Sequence, residues 1–123
     1  LHTSSAVKTI DRIIDVFPAG QKSQIRSMLS ESLLAVIAQK LLPNKAKTGR
    51  VPASEIMVAS SAIRNLIRED KIYQIPTLIQ SGAKEGMQSL DSDLQRLLHQ
   101  GIIDRADAIQ VAENPEVFER GIF

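Results

Sequence analysis

Two short segments with strand-like character lie in a chain that is otherwise patterned as helix, and this contrast restricts the fold more than any other feature. Residues 37–43 are largely apolar, and residues 50–59 alternate along the chain, with one face made of Val51, Ala53, Glu55 and Met57. The turn-forming residues 44–49 separate the two segments, which predicts a β-hairpin. An isolated hairpin is marginally stable. We therefore expect part of an α/β fold, mostly helical here with one hairpin, and we expect the rest of its sheet to lie upstream. The alternative is a hairpin that stands alone.

Apolar residues at helical spacing predict helices on both sides of the hairpin. The first helix follows the capping candidates Thr3, Ser4 and Ser5, and its apolar positions are Ala6, Ile10, Ile13, Ile14 and Phe17. The second begins near Pro18, with an apolar stripe made of Ile25, Met28, Leu29, Leu33 and Val36. After the hairpin, the predicted helices span residues 60–70, 71–81, 90–100 and 104–113. Pro76 is expected to begin or kink the helix that contains it.

Composition excludes several classes of site and partner. The chain has no cysteine, which excludes disulfides, thiolate zinc sites and a cysteine nucleophile. The formal net charge of +1 and the presence of one Tyr, three Phe and no Trp argue against a nucleic-acid groove. No stretch approaches the ~20 apolar residues of a membrane span, so no membrane insertion is expected. His2 and His99 lack the spacing of a metal-binding motif, so no metal site is expected.

The sequence also lacks the motifs that carry phosphoryl-transfer or hydrolytic chemistry. It contains no glycine-rich G-x-x-x-x-G-K-[ST] loop, whose backbone amides would hold phosphates. It has neither an apolar strand that ends in paired acids nor a G-x-S-x-G elbow. We therefore expect this chain by itself to bind no cofactor and to have no enzymatic activity.

Four segments match, in order, the motifs of one known family. Residues 1–18 resemble the end of a His box and the helix after it, residues 28–33 resemble the next helix, and residues 86–91 resemble a block near the C-terminus. The remaining segment, third along the chain, reproduces the motif AIRNLIRE with Ala62, Ile63, Arg64, Asn65, Leu66, Ile67, Arg68 and Glu69. On these residues, the chain resembles the C-terminal part of the PilT-type pilus retraction ATPases of the secretion ATPase superfamily. The resemblance covers essentially the whole chain.

The resemblance implies the C-terminal part of a RecA-like P-loop ATPase domain that works as a hexameric ring. The parent protein would bind ATP and Mg²⁺ through a Walker A loop, an Asp box and a Walker B segment upstream of Leu1. His2, in the second half of the His box, would lie near the γ-phosphate; the plain alternative is a histidine that hydrogen-bonds a neighbour. Residues 1–59 would complete the ATPase core, and residues 60–123 would form a helical C-terminal subdomain.

The resemblance also implies a biological role. The parent would drive type IV pilus retraction and twitching motility in the cytoplasm, at the inner face of the cytoplasmic membrane. Its partners would be copies of itself and an inner-membrane pilus platform protein. Arg64 and Arg68 stand four residues apart on one predicted exposed face, which by itself indicates only a solvated helix. In this family the motif is tied to retraction, so we expect coupling or interface roles for Arg64, Asn65, Arg68 and Glu69.

The hairpin region separates the branches of the superfamily. Pilus-assembly and type II secretion ATPases usually carry a four-cysteine zinc module there, whereas residues 43–52 form a short link without cysteine. The chain departs from the family at Ser54, where histidine is usual, at residues 59–61, where Gly-Thr-Pro is usual, and at Pro76. Two alternatives remain open: a stand-alone helical interaction module, or a fragment of an assembly or type II secretion ATPase.

Overall fold

A computed structural model describes residues 5–120, which form seven α-helices and one antiparallel hairpin. The helices are α1 (Ala6–Asp15), α2 (Lys22–Ser32), α3 (Ser61–Arg68), α4 (Ile75–Ser81), α5 (Leu90–His99), α6 (Arg105–Val111) and α7 (Pro115–Glu119). The strands are β1 (Ala35–Pro43) and β2 (Arg50–Val58), and short 3₁₀ turns lie at Ala19–Gln21, Ile72–Gln74 and Ala83–Glu85. None of the helices in this part of the chain combines the length and apolar character that a bilayer crossing requires.

Side-chain caps begin four of the helices at positions that the sequence marks. Ser5, Ser60 and Ser89 each accept a hydrogen bond from the backbone N–H three residues later, and so begin α1, α3 and α5. Asp104 does the same at the start of α6. These oxygens satisfy N–H groups that have no partner within the helix. Of the capping candidates, Ser5 and Ser60 are therefore the residues that begin α1 and α3, and the predicted start at Asp104 is confirmed.

The hairpin is confirmed with nearly the predicted bounds. Its register pairs Ile37 with Ile56 and Ala38 with Glu55. The inner face of β2 alternates as expected: Ala53, Glu55 and Met57 are buried, whereas their neighbours are partly exposed. Among the described residues, β1 has no second strand at its free edge. The edge of β2 that faces away from β1 is paired at one point, where Ile56 exchanges two backbone hydrogen bonds with Gln88.

The inner face of the hairpin serves two hydrophobic cores. At one end, Val36 and Met57 join a cluster built from α1, α3 and α4. At the other end, Leu42 and Ala53 join a cluster built from α5, α6 and α7. Ala38 and Glu55, paired across the strands and both buried, stand between the two ends. The hairpin is thus a common wall of the two cores.

Four local predictions differ from the structure, and one of them is the helix predicted for residues 71–81, whose α-helical part begins at Ile75 after the 3₁₀ turn Ile72–Gln74. The second helix begins at Lys22, because a 3₁₀ turn follows Pro18, and it ends at Ser32. Leu33 and Val36 therefore lie beyond that helix. The last predicted helix ends at Val111, and an additional helix, α7, follows with Pro115 at its start. Proline suits the first turn of a helix, where its missing N–H costs nothing. Pro76 occupies the same kind of position in α4, as predicted.

Candidate functional site

Helix α3 carries most of the AIRNLIRE segment and is anchored by its apolar side. Ile63 and Ile67 are fully buried in the core that α1 and α4 share, and Leu66 is packed against that core. Ser60 accepts a hydrogen bond from the N–H of Ile63 at 3.4 Å and begins the helix. The predicted buried stripe is confirmed for Ile63 and Ile67, and Leu66 beside them is partly buried. The polar side chains of the segment are consequently held on a fixed support.

Arg64 is directed at the end of another helix. Its Nη1 donates to the backbone oxygens of Ser30 at 2.6 Å and Glu31 at 3.2 Å, in the last turn of α2. The last carbonyls of a helix have no partner within the helix and carry partial negative charge, which a guanidinium satisfies. Arg64 is half-buried in this contact. It therefore joins α3 to α2.

Arg68 has a different environment from Arg64. It is exposed, and its Nη1 donates to Oδ1 of Asn65 at 2.7 Å, one turn back on the same helix. Glu69 is exposed at the end of α3 and lies 3.7 Å from Nζ of Lys71. Two guanidiniums were predicted on one exposed face. Arg68 is exposed as predicted, whereas Arg64 is half-buried and bonded to the carbonyls of α2. Asn65, Arg68 and Glu69 are the polar residues of the segment that face solvent.

A second contact joins α2 to the end of α3. Asp70 has a left-handed backbone (φ +60°), which ends the helix. Its Oδ1 lies 3.3 Å from Nε of Arg26 on α2. The N–H of Arg26 Nε is not aligned with that oxygen, and it forms no hydrogen bond within residues 5–120. We therefore treat the contact as an ion pair. With Arg64, it makes α2 and α3 a single packed unit.

The second part of the site is the start of α1, which follows the segment that contains His2. His2 itself lies outside the described residues. The N–H of Ala6, the first residue of α1, donates to Oε1 of Glu55 on β2 at 2.7 Å. Ala6 is fully buried, and Glu55 is 5% exposed. The start of α1 is thus held by Ser5 from its own segment and by Glu55 from the hairpin.

Glu55 is in an unusual environment for a carboxylate. Burial raises its pKa above the ordinary glutamate value, and the N–H of Ala6 opposes that rise. The negative charges of Glu113 and Asp91 raise the pKa further, and Lys40 lowers it. The alternation of residues 50–59 groups Glu55 with Val51, Ala53 and Met57 on one face, and no role was predicted for it. The signal for such a role was present, since Glu55 is the acidic residue in an otherwise apolar set of Val51, Ala53 and Met57.

Comparison with known proteins gives close relatives over almost the whole chain. No protein-family model matches it. It is 54% identical over 116 residues to a twitching motility protein of Neisseria gonorrhoeae, which covers 94% of this chain and 31% of that protein. It is 55% identical over 118 residues to the type IV pilus retraction ATPase PilT of Pseudomonas aeruginosa, which covers 96% of this chain and 34% of that protein. The chain spans about a third of the length of these relatives.

Solved structures agree with this relationship. A crystal structure of the pilus retraction motor PilT with bound ADP superposes with a TM-score of 0.82 at 42% identity, over 98% of this chain and 33% of that one. The ATPase DotB of Legionella pneumophila has the same fold, with a TM-score of 0.72 at 22% identity over 90% of this chain and 30% of that one. Sequence and fold agree on one relationship: the chain corresponds to the C-terminal part of a PilT-type ATPase.

Proposed function

We propose that this chain is the C-terminal part of a motor ATPase that uses ATP hydrolysis to drive type IV pilus retraction. The observation that carries the proposal is the identity of 54–55% over 94–96% of the chain to a twitching motility protein and to a pilus retraction ATPase. The parent would be a hexamer in the cytoplasm, at the inner face of the cytoplasmic membrane. Its partner there would be the inner-membrane pilus platform protein.

In this proposal, the nucleotide chemistry is divided between this chain and the upstream part of the protein. The chain contains no glycine-rich phosphate loop, so ATP and Mg²⁺ would be bound mainly upstream. His2 would approach the γ-phosphate as a polar contact. Phosphoryl transfer is accelerated mainly by positioning and by electrostatic stabilisation of the phosphate oxygens. The chain's own task would then be to place His2 and to pass the resulting movement to its neighbours.

The AIRNLIRE segment would act in coupling. Arg64 is occupied in joining α3 to α2, so it would keep the two helices moving together. Asn65, Arg68 and Glu69 face solvent and are therefore the residues with side chains available to another subunit or partner. The contacts of each side chain support this division of roles, and so does the resemblance to retraction ATPases.

A chimera tests the proposed function. The C-terminal part of Pseudomonas aeruginosa PilT would be replaced by this chain and expressed in cells that lack their own PilT. We expect twitching motility to return, because the chain would supply an equivalent of the C-terminal third of PilT. The matched control is the same chimera with Arg68→Ala and Glu69→Ala, which leaves the core of α3 intact. We expect this control to assemble and to hydrolyse ATP but to retract poorly.

Other outcomes would favour the alternatives. A chimera that is folded and hydrolyses ATP but supports pilus assembly instead of retraction would indicate a fragment of an assembly or secretion ATPase. A stand-alone interaction module is the remaining alternative. It would be favoured if the reading frame upstream of Leu1 encoded no nucleotide-binding domain.

A further inference from the structure

The end of α3 has an aspartate where glycine is the usual residue. The N–H of Lys71 donates to the backbone oxygen of Leu66 at 2.8 Å, and the N–H of Asp70 donates to that of Ile67 at 3.3 Å. This pair of bonds is the Schellman arrangement, whose left-handed residue is most often glycine. Here the left-handed residue is Asp70, with φ +60°. A side chain is therefore present at a position where glycine would be less strained.

The carboxylate of Asp70 has a specific neighbour on another helix. Its Oδ1 lies 3.3 Å from Nε of Arg26 on α2, and the side chain of Arg26 is 21% exposed. This Nε is a buried nitrogen that forms no hydrogen bond within residues 5–120. A guanidinium with so little exposure is favoured by a negative charge beside it. Glycine would end α3 as well as Asp70 does, but it would leave Arg26 without that charge.

Two polar contacts hold α3 on α2, one at each end of α3. At its start, Arg64 donates to the backbone oxygens of Ser30 and Glu31. At its end, Asp70 pairs with Arg26. Because Arg26 precedes Ser30 on α2, the two helices run in opposite directions, and the contacts are separated by roughly 6–9 Å along them. Two separate contacts restrict both sliding and rotation of α3 against α2.

The solvent-facing polar residues of the segment, Asn65, Arg68 and Glu69, lie between these two contacts. We propose that Arg26 and Asp70, which lie outside the AIRNLIRE motif, are positioning residues for it. They hold the end of α3 on α2 and thereby orient the solvent-facing residues toward their partner. This inference rests on the proposed coupling role of the segment, and it extends the coupling unit from α3 to α2.

The test compares variants of the full-length protein that contains this chain, expressed in cells that lack their own retraction ATPase. Asp70→Gly removes the carboxylate and keeps the left-handed backbone. Arg26→Ala removes the other partner, and Arg26→Lys keeps a positive charge. Lys22→Ala is the matched control, because Lys22 is also a cation of α2 in an ion pair, but its partner at 3.1 Å is Asp15 on α1. The measurements are retraction speed, ATP turnover, thermal unfolding and the hydrogen exchange of the Lys71 amide.

We expect Asp70→Gly to melt within about 2 °C of the unaltered protein, because relief of backbone strain offsets the loss of a partly exposed ion pair. It should nevertheless retract about fivefold more slowly, with ATP turnover changed by less than about twofold. Arg26→Ala should slow retraction as much and speed the exchange of the Lys71 amide. The two changes combined should cost no more than either alone, since both remove one interaction. Arg26→Lys should recover most of the speed, and Lys22→Ala should keep it.

Two results would overturn the inference. In one, Asp70→Gly retracts at the speed of the unaltered protein. In the other, Lys22→Ala slows retraction as much as Arg26→Ala, which would make the effect a general one of α2. Failure of the proposed function is recognised separately, since the unaltered protein would then hydrolyse ATP without retracting pili. In that case the exchange of the Lys71 amide still decides whether Arg26 holds the end of α3, and unchanged exchange in Arg26→Ala would refute it.

Discussion

At the scale of single residues, the positions that matter most here are polar groups whose partners are distant in sequence. Helix spacing correctly predicted that Ile63 and Ile67 are buried, because that property depends on neighbours three and four residues away. It could not predict the partner of Arg64, which is the end of a helix 34 residues earlier. The same holds for Glu55 and Ala6. Local patterns determine which face is apolar, whereas tertiary packing selects the partner of each charge.

Replacing Arg64 tests its role as a cap of α2. We expect Arg64→Ala to lower the free energy of unfolding by about 1–2 kcal/mol, because the carbonyls of Ser30 and Glu31 lose a charged hydrogen-bond donor. The matched change Arg68→Ala should cost less than about 0.5 kcal/mol, since Arg68 is exposed. Urea unfolding of both variants measures the difference. Equal losses in the two variants would contradict the capping role.

The pH dependence of stability tests the environment of Glu55. Its pKa is raised in the folded state, so the folded protein binds a proton there more tightly than the unfolded chain. The stabilising contribution is therefore fully present below the ordinary glutamate pKa and is lost as pH rises through the raised pKa. Glu55→Gln cannot titrate. We expect the stability of the unaltered protein relative to this variant to fall over that pH range, as measured by thermal unfolding between pH 4 and pH 8; a constant difference would count against a raised pKa.

At the scale of elements, capping and turn signals predicted most of the boundaries. Two helices begin at the predicted caps Ser60 and Asp104, and one ends before Gly101 as predicted. Such signals are readable because caps and left-handed glycines depend on a few adjacent residues. The five-residue helix α7 was not predicted, since Asn114 and Pro115 mark a helix end as well as a helix start. The turn of the hairpin was predicted, but its attachment to the rest of the chain was not. The N–H of Lys45 donates to the oxygen of Ile102, between α5 and α6.

The turn offers a test that separates backbone strain from charge. Lys47 has a left-handed backbone (φ +59°), and its ammonium lies 3.1 Å from Asp104 and also contacts Asp107. Both acids raise the pKa of Lys47 through these contacts. Lys47→Ala and Lys47→Gly lose the ion pairs equally, but glycine adopts this backbone without strain. We expect the glycine variant to melt a few degrees higher than the alanine variant by calorimetry; the reverse order would mean that the turn is not strained.

At the scale of the whole molecule, the hairpin has one covered face and one open face. Ile37 and Leu41 on the outer face are 63% and 54% exposed, next to the edge of β1 that pairs with no strand within residues 5–120. An incomplete α/β sheet was predicted from the sequence, but the exposed apolar face was not. The division of the inner face between two cores was not predicted either. That division depends on how α5, α6 and α7 pack together, which no local pattern specifies.

The open face should make the isolated chain associate with itself. A free edge beside exposed apolar side chains is a site for pairing with another strand. We expect the 123-residue chain to form dimers or larger species as its concentration rises, and Ile37→Lys to suppress them. Gln39→Lys is the matched control, since it adds the same charge to the same face and removes no apolar group. Sedimentation velocity measures the distribution, and association unaffected by Ile37→Lys would place the contact elsewhere.

The common wall between the cores also governs how the chain folds. Ala53 and Met57 are four residues apart on β2, yet each closes a different core. Neither core is complete until the hairpin has formed, and the hairpin itself requires only a short local turn. Since both cores include residues of the hairpin, we expect neither group of helices to be stable without it. We expect amides in α3 and α5 to open with the same free energy as those in β2, so that the whole chain behaves as a single cooperative unit.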